Sequence, residues 1–333
     1  MHPVPSRNPA SVLPWLLLAT LLAGCVSGPG LSPEARPADT LELTATPFHP
    51  QQRYQCGPAA LATILQVSGV ATDPEALVDQ VWLPGREGSL QIELVAATRR
   101  HGRLAYVLPP HPDALLAELK AGHPVLVMQN LGTGWLPQWH FAVVIGFDPD
   151  DNQVILRSGT TERQTERLSA FLRSWALADN WAMVALEPGA LPGSRDGRMY
   201  LAAVADLEAS GQHEAAARAY RAWLKTEPDN LVAHFGLGNS LAALQQWHDA
   251  ASAYEALLER APADAAALHN LARVEWHRGC IVRARELARR GSLLANESER
   301  LQEAFTSLQE GLANADADAD AACPEGEALA PED

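Results

Sequence analysis

The sequence is poor in basic residues, in cysteine and in long apolar runs, and each scarcity excludes something. Twenty-five Lys and Arg stand against forty Asp and Glu in 333 residues, a formal charge of −15 at pH 7. No basic stripe is left to neutralise phosphates, which argues against a nucleic-acid partner. The four cysteines, Cys25, Cys56, Cys280 and Cys323, have neither metal-ligand spacing nor the density of a disulfide framework. Asp316, Asp318 and Asp320 alternate with alanines but lack the mid-loop glycine and closing glutamate of a calcium loop. No metal or cofactor is therefore expected. The apolar run Ser11 to Ala23 is too short to span a bilayer stably. What is present suffices for more than one domain: 47% of the residues are hydrophobic, and the length accommodates two folded units with linkers and tails.

That apolar run follows Arg7 and has the length of a signal-peptide core. It ends Leu22-Ala23-Gly24-Cys25, which resembles the lipobox of bacterial lipoproteins. The resemblance implies a signal peptide over residues 1–24, lipidation of Cys25 and a place in the bacterial cell envelope. Val26 stands where an aspartate would favour inner-membrane retention, so the periplasmic face of the outer membrane is expected. Residues 25–40 carry Gly28, Pro29, Gly30, Pro33 and Pro37 and read as a flexible lipidated tether.

The chemistry concentrates in two stretches. The first, Gln51 to Leu61, places Cys56 at a loop-to-helix junction, with Pro58 fitting a first helical turn. Leu61, Ile64 and Leu65 continue the helix and Gly69 ends it. A cysteine there sits at the positive end of the helix macrodipole, which favours thiolate over thiol. The second, His140 to Phe147, is apolar on both faces, as a buried central strand is. Asp148 to Asn152 supplies a turn, and Gln153 to Arg157 returns as the hairpin partner, so His140 is expected to face residues 158–160. Asp148 lies eight residues from His140, roughly 26 Å along a strand at about 3.3 Å per residue, and cannot orient it. Ser158 is the candidate in reach. Trp135 and Trp139 are candidates for lining the cleft, with core packing the equal alternative.

Between and around these stretches the pattern predicts a short strand from Leu41 and a helix capped by Thr72. A further helix opens at Gly88-Ser89, another spans Asp113–Lys120, strands lie near 104–108, 124–128 and 181–186, and a helix covers 168–175. Residues 41–187 thus form an α+β domain. Pro188, Gly189, Pro192 and Gly193 mark a linker over 188–196. Beyond it, strand signals vanish. Pro228 and Pro262 lie 34 residues apart, as do Ala216, Ala250 and Ala284, and Tyr220 and Tyr254 share a column. Residues 197–310 resemble three tetratricopeptide repeats plus a capping helix, a stack that serves to bind protein partners. Residues 311–333 are rich in Asp, Glu and Ala and read as a disordered acidic tail, with a Cys280–Cys323 bridge open to it in an oxidising compartment.

Gln51, Cys56-Gly57-Pro58-Ala59 and His140 followed by the strand to Gly146-Phe147-Asp148 resemble the bacteriocin-processing (double-glycine leader, papain-like) cysteine peptidases over residues 43–187. The resemblance implies a papain-like fold, with Cys56 as nucleophile, His140 as base and then acid, and the Gln51 amide as oxyanion donor. The chain departs from the pattern twice. Its glutamine stands five rather than six residues before the cysteine, leaving Gln52 and Gln55 as lesser candidates. Where relatives carry an aspartate it has Arg157-Ser158-Gly159-Thr160, so Ser158 is expected to complete a dyad-like site. The expected function is a lipid-anchored cysteine peptidase acting on peptide or protein substrates in the periplasm. The alternatives are a non-catalytic peptide-binding scaffold and a thiol-dependent amide or peptidyl transferase.

Overall fold

The computed structural model describes residues 30–51, 55–86, 88–295, 298–315 and 323. The lipobox with Cys25, the glutamine alternative Gln52, and tail residues other than 311–315 and Cys323 lie outside the described residues. Among those described, no helix is long and apolar enough to cross a membrane.

The first half is built on an antiparallel sheet of β1 (Leu41–Glu42), β4 (Leu104–Val107), β5 (Val125–Asn130), β6 (Trp139–Asp148), β7 (Gln153–Ser158), β8 (Thr161–Arg167) and β9 (Ala182–Leu186). Its order is β4-β9-β5-β6-β7-β8, with β1 pairing the far end of β6, Leu41 opposite Phe147. The sheet is buried on both faces over β5 and β6, which is why these strands read as unbroken apolar runs. On one face lie α1 (Cys56–Val67), α2 (Pro74–Val81) and α3 (Gln91–Arg100). Leu61, Ile64 and Leu65 there meet Met128, Phe141, Val143 and Ile145. The other face packs α4 (Pro112–Lys120) and α5 (Leu168–Ala176), with Phe171 and Trp175 at its centre.

That second core continues without a break into an all-helical region. Its helices are α6 (Gly197–Ala209), α7 (His213–Leu224), α8 (Leu231–Ala243), α9 (Trp247–Leu258), α10 (Ala265–His277), α11 (Ile281–Leu294) and α12 (Glu299–Ala313). The starts of α6, α8 and α10 fall 34 residues apart, and so do their caps. The side chains of Asp196, Asn230 and Asp264 each accept the amide hydrogen three residues on, satisfying donors that a helix start leaves unpaired. Recurring glycines permit close stacking: Gly236 lies against Tyr220, and Gly238 against Tyr254.

The two regions are joined by a buried carboxylate. Glu118 of α4 is 0% exposed. It accepts hydrogen bonds from the backbone N–H of Gly193 (2.9 Å) and Ser194 (3.1 Å) and from the Ser194 hydroxyl (3.1 Å), with His123 Nδ1 at 2.9 Å. The Pro- and Gly-rich stretch expected to be a plain linker is thus pinned at Gly193 and Ser194.

Several expected details differ. The helix after the first is capped by Asp73, whose carboxylate accepts from Ala76 N, and not by Thr72. Gly88-Ser89 opens no helix; it is β3, paired with β2 (Trp82–Leu83), and α3 begins at Gln91. Strand β8 was not expected at all, because TERQTER carries no apolar alternation; it is an edge strand with mostly exposed side chains. The last helix runs to Ala313, past the expected start of the tail. Cys280 and Cys323 are bonded to each other, which fixes the tail to the turn before α11.

Candidate active site

Cys56 is the first residue of α1, with Gln55 at the cap position offering no side-chain bond. The free helix N–H groups therefore face whatever lies in front of Cys56. Gly57 is needed beside it because a Cβ there would overlap the hydroxyl of Ser89 on β3. The helix start is thereby pressed against the β2–β3 hairpin, and residues of both line a cleft of about 910 Å³. Its walls hold Cys56, Ser89, Leu90, Met128, Trp139 and Phe141, and Asp179 is the one charged residue among the described residues that line it. Trp139 therefore lines the cleft, as one reading of the sequence had it. Trp135 does not; it stands 99% exposed on the preceding loop.

The ladder between β6 and β7 runs from Asp148–Gln153 to Val143–Arg157 and then opens. In that opening the peptide of Phe141 serves both candidate groups. Its N–H faces the Cys56 thiol, while its carbonyl accepts the Gln51 side-chain amide at 3.4 Å. Gln51 is itself fixed by its backbone N–H on Gly159 O, 3.0 Å. Gln51 and Gln55 also border a smaller cavity with His49 and Pro74, next to the cleft. Cys56, Gln51 and His140 thus converge on one end of β6.

His140, the residue before Phe141, holds Ser158 Oγ at 3.0 Å through Nε2. Among the described residues its Nδ1 has no hydrogen-bond partner, and His140 is not among the groups that act on the Cys56 thiol. Ser158 is 5% exposed and its backbone pairs with Thr161 across a bulged β7–β8 ladder. Arg157 turns to the opposite face, where it binds the carbonyls of Thr44, Thr46 and Glu162. Asp148 has no part in the site. Its carboxylate closes the β6–β7 turn on the N–H groups of Asp150 and Asp151.

The electrostatics correct one expectation. Burial pushes the Cys56 thiol above its ordinary value, and the backbone N–H groups of Phe141, Gly57 and Cys56 only partly oppose this. Burial likewise lowers His140, with no anion beside it to hold a proton. The helix terminus does not by itself yield a thiolate; the resting pair is a neutral thiol and a neutral imidazole. Among the described residues, no three His, Cys, Asp or Glu side chains gather as metal ligands.

Fold and site together are those of an α+β domain carrying a cysteine at a helix start beside a strand histidine. Residues 43–183 match the model of the Peptidase_C39 like family, so this stretch is a Peptidase_C39-like domain. No curated protein matches the chain. Among solved structures, a C39-like peptidase from Bacillus anthracis is 17% identical. It aligns with 45% of this chain and 98% of its own, at a TM-score of 0.39. A double-glycine motif protease from an AMS/PCAT transporter, solved with its leader peptide, is 19% identical over 44% of this chain and 94% of its own, at 0.35.

Proposed function

We propose that the protein is a cysteine peptidase with a two-residue catalytic pair, Cys56 and His140, acting on peptide or protein substrates. The observation that carries this is the His140–Ser158 bond. It fixes one ring nitrogen and leaves the other unengaged among the described residues, one residue from the peptide N–H that meets the Cys56 thiol. In the proposed reaction the Cys56 sulfur bonds to the substrate carbonyl carbon while its proton passes to His140. The oxyanion is met by the Cys56 backbone N–H and the Gln51 amide, which must leave the Phe141 carbonyl to do so. His140 then gives its proton to the leaving amine as the C–N bond breaks. Water, deprotonated by His140, releases the acyl group. Because both groups rest neutral, the proton transfer occurs within the substrate complex, where the developing charges pair.

Ser158 orients the imidazole but supplies no charge, so the pair is weaker than one backed by a carboxylate. The same feature, with the raised thiol, favours the second reading, a peptide-binding scaffold without turnover. A periplasm-facing lipid anchor at Cys25 is part of the proposal. In its support, Ser32 is held by Asp113, Arg36 by Asn152, and Leu41 pairs with Phe147. Residues 32–41 thus gather at the end of β6 about 23 Å from His140 at roughly 3.3 Å per residue, leaving the cleft turned away from a tethered membrane. The helical pairs are proposed to hold a protein partner or present the substrate. Incubation of a mixed peptide library with the wild type and with Cys56→Ala, followed by mass spectrometry of the products, tests the reading. New termini that depend on Cys56 support it; binding without cleavage moves the protein to the scaffold reading.

A further inference from the structure

Among the described residues that line the cleft in front of Cys56, only Asp179 carries a charge. It belongs to the turn after α5, and the backbone there is held from several sides. The N–H groups of Asp179, Asn180 and Trp181 donate to Ala176 O (3.1 Å), Trp175 O (3.0 Å) and Ala178 O (3.1 Å). The Trp181 carbonyl accepts the Trp175 indole N–H at 2.9 Å and the backbone N–H of Met128 at 3.2 Å, which ties the turn to β5. Asp179 and Asn180 stand at φ 56° and 51°, a conformation that Asp and Asn adopt more readily than most residues with a side chain.

The turn uses the backbone of Asp179 but not its charge. Other aspartates of the chain turn their carboxylates onto local N–H groups: Asp148 binds those of Asp150 and Asp151, and Asp73, Asp196 and Asp264 cap helices. The Asp179 carboxylate has no hydrogen bond or ion pair among the described residues, and the residue is exposed. Met128, Phe141 and Trp139 line the same cleft, and Trp139 is itself 53% exposed. A fixed carboxylate in a cleft with apolar walls focuses its field there. That field attracts a cation. The methylene stem of a lysine or arginine lies along apolar side chains while its head stays polar, and an indole face adds attraction for that head. A carboxylate paired with such a cation makes charge-assisted hydrogen bonds.

From this we infer that Asp179 determines specificity: it draws a lysine or arginine side chain of the bound peptide into the Cys56 cleft, with the stem against Met128, Phe141 and Trp139. This role rests on the proposed function, in which a peptide occupies the cleft, and names the class of peptide. Asp179 takes no part in breaking the bond. Two variants remove the charge and keep the turn. Asp179→Asn retains the shape of the side chain and its tolerance of the left-handed backbone. Asp179→Gly suits that backbone without strain.

The experiment has a binding arm and a cleavage arm. In the first, the full chain carrying Cys56→Ala is titrated into fluorescein-labelled decapeptide pools, and anisotropy is followed. The pools are random in uncharged residues and differ only in carrying lysine, glutamine or glutamate at two positions. Expected is binding of the lysine pool at least about ten-fold tighter than the glutamine pool, weakened by salt. Either Asp179 variant should bring the lysine pool to the glutamine level while circular dichroism shows the fold intact. In the second arm, the chain with Cys56 present digests a mixed peptide library. Lysine or arginine should be enriched at one fixed position from the cut, and the enrichment should vanish in both variants. Equal binding of the lysine and glutamine pools, or a lysine preference that survives both variants, overturns the assignment. Cleavage with no basic preference overturns it too, but leaves the peptidase reading in place. An Asp179-dependent lysine preference in binding without any cleavage supports the assignment and overturns the peptidase reading. Neither binding nor cleavage of any peptide overturns both.

Discussion

Replacing Ser158 by aspartate puts a carboxylate where the chain has a hydroxyl 3.0 Å from His140 Nε2. At about 4 Å and an effective dielectric near 20, a carboxylate and an imidazolium attract by about 4 kcal/mol. Part of that is lost to desolvation, since the position is 5% exposed. Carboxylates this close to a cation move pKa values by roughly 1–3 units. His140, now held below its ordinary 6.5 by burial, should rise past that value. A protonated His140 in turn favours the Cys56 thiolate, so alkylation of Cys56 by iodoacetamide near pH 7 should quicken about ten-fold or more. The assay pairs an NMR titration of the imidazole with labelling rates across pH. Ser158→Asn, which keeps a polar partner without charge, should move His140 by less than about one unit. If Ser158→Asp folds normally yet leaves both the titration and the labelling rate unchanged, then the His140–Ser158 contact does not govern the site.

The lowered pKa of His140 has a consequence for stability. The folded state prefers the neutral ring, so the stability it retains above about pH 6.5 is lost as pH falls toward the folded value. Urea unfolding should therefore show a larger loss between pH 7.5 and 5.5 for the wild type than for His140→Gln. Gly57→Ala would force Ser89 aside and should destabilise the protein by about 1–3 kcal/mol, read by denaturation; adding Ser89→Gly should recover most of it. Glu118→Gln leaves two backbone N–H groups and the Ser194 hydroxyl with a poorer acceptor. A loss of about 3–5 kcal/mol in urea midpoint analysis is expected, together with faster proteolysis near Gly193. A stability change within about 0.5 kcal/mol would mean that the latch does not join the two regions.

The parts legible in the sequence are those encoded locally. The helix at Cys56 followed from a proline, a run of helix formers and a terminating glycine within fourteen residues. The turn at Asp148–Asn152 placed Ser158 opposite His140 by counting alone, and the helical region announced itself by its period. What was not legible depends on residues far apart in the chain. Glu118 looks like an ordinary surface residue of a short helix until Gly193 and Ser194, 75 and 76 positions on, close over it. β8 is a strand because β7 offers it an edge, not because of its own charged residues. The thiol's state was misjudged for the same reason: the helix terminus is visible in the sequence, but the burial that outweighs it comes from β3, β5 and β6.

The central claim is that Cys56 is a nucleophile activated by His140, and competitive thiol labelling of the oxidised, folded chain tests it most directly. A chloroacetamide probe is followed by site-resolved mass spectrometry in the wild type and in His140→Ala, at several pH values. Cys56 should be labelled, the rate should drop about ten-fold or more without His140, and Cys280 should stay untouched while its bond to Cys323 persists. Slow labelling of Cys56 that is identical with and without His140 would contradict it.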